Sequence, residues 1–482
     1  MSSLFDRFFK GKTTLPTPDS KEAAASVPAP EQFDVVYAEA LRAATAKDFE
    51  RALPLYDQAI ELDPARAEPY YKRANALRDI GHLEAALTSY DQAIERKPDY
   101  AFAYCNRGVV LHTLGSLDAA LSSLDAALGL EPSDAFAHYN RALVLQDRHR
   151  WDEALASYDR AIEINPQFAA AQFNRSMVLL FQGDFKKGWP AFEWRWENAQ
   201  RLSIGAPRNF AEPLWHGKES IAGKRLFLYS EQGLGDTVQF CRYATLCAEL
   251  GATVILEVQP PLAGALTSLA GVSQLIAKGS PLPPFDYQCP LMSLPLAFNT
   301  TVDTIPAHRK YLASDAAKVA LWSNRLGMRS RPRIGLVWSG NPNNAIDHRR
   351  SIRLADWITH LPSGLQYFCL QKDVREADQA ALDSNPAILS YADDLLDFTD
   401  TAALCECMDI VVTVDTSVAH LSGALGLPTW LLLAYTPDWR WILGRNDTPW
   451  YPSVKLYQQK AAGDWTEVFS RVAADLRREF RR

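Results

Sequence analysis

The chain has 482 residues, 48% hydrophobic and 22% charged, with a formal net charge of −7. That length accommodates two or three domains with large cores, and the acidic balance without a basic stripe argues against a nucleic-acid partner. No apolar run is long enough for a transmembrane segment, and seven scattered cysteines suit reduced thiols in a cytoplasmic setting. Only Cys405 and Cys407 are close, at a spacing unsuited to a zinc knuckle. The N-terminal MSSLFDRFFKGKTT lacks the continuous apolar stretch of a secretory signal. With the Pro/Ala/Ser-rich residues that follow, it reads as a disordered leader over 1–32.

From residue 33 the sequence repeats. Pro64, Pro98, Pro132 and Pro166 are each 34 residues apart, and Ala52/86/120/154 and Ala59/93/127/161 keep the same step. Small residues let paired helices approach closely, and the prolines break the chain between pairs. This is the tetratricopeptide pattern, predicting an α-solenoid of helix pairs over 33–200, with a degenerate fifth unit from about 169. Asn106, Asn140 and Asn174 recur at one repeat position, each followed by Arg. A row of amides can hold the backbone of an extended peptide, because Asn both donates and accepts. The alternative is a ladder of hydrogen bonds internal to the solenoid. The arrangement resembles the asparagine ladder of protein O-GlcNAc transferases, which implies acceptor binding by these three residues.

Phe185, Trp189, Phe192 and Trp196 fall on one helical face, read as packing against the next domain or as a sugar platform. A Pro/Gly-containing connector follows over 201–222. Lys224–Tyr229 reads as a strand, followed by the turn SEQGLGD, a helix over Thr237–Leu250 and a strand over Thr253–Val258. A helical stretch follows residue 315. Arg333–Trp338 is a further strand, leading into Ser339-Gly340-Asn341-Pro342, and Gln366–Leu370 another, ending at Gln371-Lys372. Asp409–Leu433 reads as a βαβ unit: a buried strand Ile410–Val414, the polar turn Asp415-Thr416-Ser417, a helix Val418–Leu425 and a strand Trp430–Leu433. A helix start at the carboxyl end of a parallel strand is a ready anion site, and His420 lies one turn in. Trp439, Arg440, Trp441, Arg445 and Trp450 follow, read as either cleft lining or packing and solvated charge. A closing helix is predicted over Trp465–Phe480.

The second half therefore predicts two Rossmann-like lobes, 223–330 and 331–482, an α/β arrangement of the GT-B type. Gly235-Asp236, the WSGNP loop at 338–342 and Asp415-Thr416 with His420-Leu421 resemble the heptosyltransferase-like GT-B glycosyltransferases. DTSVAHLSGALG, PDWRW and RNDTPWYPS are similar to segments of bacterial proteins that fuse tetratricopeptide repeats to such a domain. The resemblance implies a nucleotide-sugar donor held mainly by the second lobe, and inverting transfer with no bound metal and no cofactor beyond that co-substrate. It also implies a protein acceptor, with flagellin among the acceptors of such fusions. The first lobe is shorter than in stand-alone heptosyltransferases, which favours an acceptor surface supplied by the repeats. On this reading Asp236 is the candidate general base. Asn341, Asp415, Thr416, Ser417 and His420 face the donor, with Arg350 and Lys372 as additional cations. The competing readings are a non-catalytic adaptor with a structural α/β part and a saccharide-acceptor transferase.

Overall fold

The computed structural model describes residues 29–198, 208–344 and 347–480. The expected leader up to residue 28 and part of the connector, 201–207, lie outside the described residues. The chain divides into two compact units between Ala171 and Gln172.

The first unit is a run of antiparallel helix pairs: α1 (Ala29–Thr45) with α2 (Phe49–Leu62), α3 (Ala67–Asp79) with α4 (Leu83–Arg96), α5 (Ala101–Thr113) with α6 (Leu117–Leu130), and α7 (Ala135–Asp147) with α8 (Trp151–Ile164). The alanines that mark the repeat, among them Ala52, Ala86, Ala120 and Ala154, have no exposed surface, as close helix crossings require. One position per repeat, in the turn within each pair, takes positive φ: Lys47 (61°), Gly81 (84°), Gly115 (77°) and His149 (57°). Glycine enters that conformation without the Cβ penalty.

A second ladder runs through the arginines that follow Lys72, Asn106 and Asn140, the same repeat position. Arg73 reaches back to Asp57 at 2.7 Å and forward to Ser89 Oγ at 2.7 Å. Arg107 takes Asp91 and Ser123, both at 2.6 Å, and Arg141 takes Asp125 at 2.6 Å and Ser157 at 2.8 Å. Each guanidinium thus ties three helices. Its planar fork suits two partners at once, as a lysine would not.

The second unit begins with α9 (Ala169–Phe181, from Gln172) and α10 (Phe185–Phe192). Phe185, Trp189 and Phe192 are buried. Trp189 lies 5.3 Å from Trp439 and 6.5 Å from Phe240 between ring centroids, and Phe185 6.0 Å from Trp450. The aromatic face is therefore packing, and the fifth helix pair belongs with the sheets.

Two parallel sheets follow. The first holds β1 (Arg225–Tyr229), β2 (Thr253–Val258), β3 (Val272–Ala277) and β4 (Tyr287–Pro290), in the order β3-β2-β1-β4. The single helix expected over Thr237–Leu250 is two, α11 (Leu234–Phe240) and α12 (Tyr243–Glu249). Between them Arg242 is buried, donating to Trp450 O at 2.6 Å and Tyr311 Oη at 2.9 Å. After α13 (Ala316–Leu326), the second sheet contains β5 (Arg333–Val337), β6 (Gln366–Cys369), β7 (Ile388–Ser390), β8 (Ile410–Val414), β9 (Thr429–Leu433) and β10 (Val454–Gln458), in the order β10-β9-β8-β5-β6-β7. Its central strands are covered on both faces. Ile334, Leu336, Ile410 and Val412 point to one core with Trp357 and Val468, while Val337, Phe368 and Val411 point to another with Trp322 and Leu404. The covering helices include α14 (Phe398–Glu406), α15 (Ser417–Ala424) and α16 (Trp465–Glu479). Among the described residues, no helix is long and apolar enough to cross a membrane.

Candidate functional site

In each sheet the chain runs outward one way and then returns to the other side of its first strand. The reversal lies between β1 and β4 in the first sheet and between β5 and β8 in the second. Open parallel sheets leave a crevice at the carboxyl ends of such strands. The turns after β1 and β8 meet: α11 packs against α15, and a Cβ at Gly235 would come within 2.7 Å of His420 Cδ2. Only glycine permits that approach.

Arg440 is the centre of this junction. It is 7% exposed, on the turn Trp439–Trp441, with its charge over the Trp439 ring at 4.5 Å. Its guanidinium pairs with Asp236 and with Asp438, the latter at 2.7 Å, and donates to Gln239 Oε1 at 2.7 Å. Burial works against its charge, but Asp438 and Asp236 hold it protonated. Asp236 is not the N-cap that its place at the helix start suggests. Gly233 holds that position, and Asp236, three residues on, reaches back to accept the Gly233 N–H at 2.8 Å. Burial pushes the Asp236 carboxyl up, against the pull of Arg440.

On the β8 side, Asp415 accepts from Trp441 Nε1 at 2.9 Å through its carboxylate and from Arg350 Nη1 at 2.7 Å through its carbonyl. Burial, with Asp438 nearby, raises its carboxyl to about 6. Thr416 is the N-cap of α15, but its side chain does not cap the helix; its hydroxyl lies 3.3 Å from Thr413 Oγ1 instead. His420 is buried against the Trp441 ring at 5.4 Å and bonds Tyr451 Oη through Nδ1 at 2.9 Å. Burial, with Arg440, Arg242 and Arg350 around it, holds the imidazole well below its ordinary pKa. It is neutral at pH 7, and the cationic character here belongs to the arginines.

Arg350 is fixed by Asp347, which is 3% exposed and is also paired with Arg375. Ser351 Oγ donates to Asp347 at 2.8 Å and accepts the Gly340 N–H at 3.0 Å. A Cβ at Gly340 would lie 2.6 Å from Arg350 Nη2 and from Asp347 Oδ1, so glycine in the WSGNP loop makes room for this cluster. Asn341 is exposed, its side chain accepting the Asn343 N–H at 3.0 Å in a local turn.

Thus Asp236, Asp415, His420 and Arg350 share one junction, with Ser417 opening its helix. Lys372 is directed elsewhere: exposed, it donates to Leu396 O at 2.7 Å. It borders an open cavity of about 480 Å³ with Tyr391, Asp393 and Asp394 at the carboxyl ends of β6 and β7. Among the described residues no group of His, Cys, Asp or Glu is arranged to hold a metal.

The asparagines do not form a uniform row. Asn106 is 4% exposed and donates to Tyr71 Oη and Asn75 Oδ1, both at 3.0 Å, in the preceding repeat. Asn140, 6% exposed, donates to Phe136 O of its own helix at 2.7 Å. Asn174 is half-buried in the second unit. Asp347, Arg375 and Tyr451 were not singled out from sequence, and the only available signal was proximity to recognised motifs.

Tetratricopeptide repeat models match residues 55–88, 74–115, 103–134 and 135–168. The chain is 27% identical over 328 residues to Protein FlbA of Caulobacter vibrioides, covering 62% of this chain and 53% of that protein. It therefore spans about half the length of this curated relative. Among solved structures it is similar to MamA, at 24% identity over 34% of this chain and 96% of that one, with a TM-score of 0.31. It is also similar to YrrB, described as a TPR protein with an unusual peptide-binding site, at 22% identity over 36% and 93%, with a TM-score of 0.31. Residues 55–168 of this chain are tetratricopeptide repeats, a module that suggests a protein-interaction role.

Proposed function

We propose that the second unit is a GT-B-type glycosyltransferase, moving a sugar from a nucleotide-sugar donor to a protein engaged by the repeats. The observation that carries this reading is the meeting of two strand-to-helix turns, one with Asp236 and the other with Asp415, His420 and Arg350, across the contact of Gly235 with His420. Such a junction offers a carboxylate on one side and cations on the other. Inverting transfer needs a base for the acceptor hydroxyl and positive charge for the departing diphosphate. Flagellin enters as an acceptor to be tried, through the resemblance alone.

Asn106 and Asn140 are spent within the solenoid, so acceptor contacts fall to other groove residues. The test is intact mass of candidate acceptor proteins co-expressed with this chain, with hydrolysis of nucleotide-sugars by the purified chain as a second readout. A sugar-sized increment dependent on the chain is expected. Absence of both transfer and hydrolysis with every donor would leave the second reading, a repeat adaptor. That reading is favoured by the mutual neutralisation of Asp236 and Arg440, which is also how a purely structural junction is built.

A further inference from the structure

Both oxygens of the Asp236 carboxylate are occupied. Oδ2 accepts the Gly233 N–H, and Oδ1 accepts from Arg440. A base in that state is weakened by the adjacent cation, which stabilises its ionised form. Arg440, for its part, is engaged at each of its three nitrogens, by Gln239, Asp438 and Asp236. The turn that carries it is unusual: Ile442 adopts φ 52° and ψ 136°, a rare place for a β-branched residue. Trp439 in the aromatic cluster, Trp441 on Asp415 and Leu443 N on Phe181 O at 2.9 Å hold the turn there.

The geometry points to Arg440 as a donor-operated lock on Asp236. This rests on the glycosyltransferase reading and specifies its order of events. A nucleoside diphosphate group entering beside Arg350 competes for the Arg440 guanidinium, and Asp236 Oδ1 is released when Arg440 turns to the phosphate. Transfer then balances. The acceptor hydroxyl oxygen bonds the anomeric carbon as its proton passes to Asp236 Oδ1. The bond from that carbon to the diphosphate oxygen breaks, and its electron pair leaves on the diphosphate, where Arg440 meets the charge. An empty donor site keeps the base neutralised.

Binding alone tests this. Dissociation constants for UDP, ADP, GDP and CDP are measured by calorimetry on the full chain, on Asp236→Asn, on Arg440→Gln and on the double variant. The lock predicts that Asp236→Asn tightens binding of the accepted diphosphate by about tenfold, the scale of one charge-assisted pair. Arg440→Gln should weaken it, and in the Arg440→Gln background Asp236→Asn should bring no further gain. An equal gain in both backgrounds would mean through-space repulsion and overturn the lock, as would no gain in either, while the function stands. No diphosphate binding by the wild type or by Asp236→Asn would overturn both. If Arg440→Gln does not fold, Arg440→Lys takes its place. The lock then predicts a smaller gain from Asp236→Asn than in the wild type, and an undiminished gain overturns it.

Discussion

The two units hold themselves together in opposite ways. In the repeats, one interaction is made over and over. Arg73, Arg107 and Arg141 each bind Asp and Ser partners sixteen residues away on either side. In the α/β unit the decisive contacts are made once and span long stretches of chain: Arg440 meets Asp236 across 204 residues, and Arg242 meets the Trp450 carbonyl across 208. Repetition spreads stability over equivalent rungs. A unique buried charge concentrates it, because removing one partner strands the others. The effect of a single substitution should therefore depend on the unit it falls in.

The largest effect should come from Asp236→Asn in a transfer assay, a fall in kcat of roughly 10²–10⁴-fold, the usual worth of a positioned base. The Asn side chain still accepts the Gly233 N–H, so the fold should survive by circular dichroism. Near-wild-type transfer would remove Asp236 from the mechanism and leave the junction as structure.

Arg195→Ala comes next. Arg195 is fully buried, paired with Glu193 at 2.6 Å and Glu231 at 3.0 Å, and donates to Ser293 Oγ at 2.7 Å. Its loss leaves the Glu193 carboxylate and the buried Glu231 carboxyl without their partner and should cost about 3–5 kcal/mol, read from urea unfolding of the second unit. A cost below about 1 kcal/mol, the size of an exposed pair, would break the contrast between the units.

Glu231 sharpens it through pH. Burial raises this carboxyl to about 7, against the pull of Arg195, and Oε2 has no hydrogen-bond partner. The folded form therefore holds a proton that the unfolded chain, with an ordinary glutamate near 4.5, releases. This stabilisation is complete below about pH 4.5 and is lost as pH rises through about 7, on the order of 3 kcal/mol across that window. In Glu231→Gln the fall in stability between pH 5 and 8 should flatten. An unchanged slope would place the proton elsewhere.

The same contrast explains what was legible in sequence. The 34-residue step exposed the helix pairs, their alanine crossings and the prolines between them, because each signal recurred. It also pointed to Asn106 and Asn140 when the adjoining arginines form the repeated ladder; a spacing marks a position without naming its partner. In the α/β unit, β1, β2, β5, β8 and β9 were legible as short apolar runs buried on both faces. The strands that escaped are β3, whose Ser273 and Gln274 are exposed, the three-residue β7, and β4 and β10 at sheet edges. At the site, the turns holding Asp236 and Asp415 were visible as strand-to-helix motifs. Arg440 read equally well as a solvated charge, because nothing local indicates a partner 204 residues away. His420 reads as a residue beside the donor, but its lowered pKa comes from burial and from three arginines on separate segments.

The smallest expected effect uses the repeats as their own control. Gly81 and Gly115 hold positive φ in the turn between paired helices, and Lys47 and His149 occupy the same position without glycine's freedom. Holding a non-glycine residue in the left-handed region costs roughly 1–2 kcal/mol. Glycine also adds freedom to the unfolded chain, which takes back roughly 0.5–1 kcal/mol. Lys47→Gly should therefore stabilise the first unit by no more than about 1 kcal/mol, raising its thermal midpoint slightly. The reverse change, Gly81→Lys, should lower it by a similar amount, since a Cβ at Gly81 meets nothing within 4 Å and only backbone strain changes. A mutant pair of opposite sign would establish the two turns as interchangeable. If both substitutions destabilise, each turn is adapted to its own residue, and the equivalence of the rungs fails at that position.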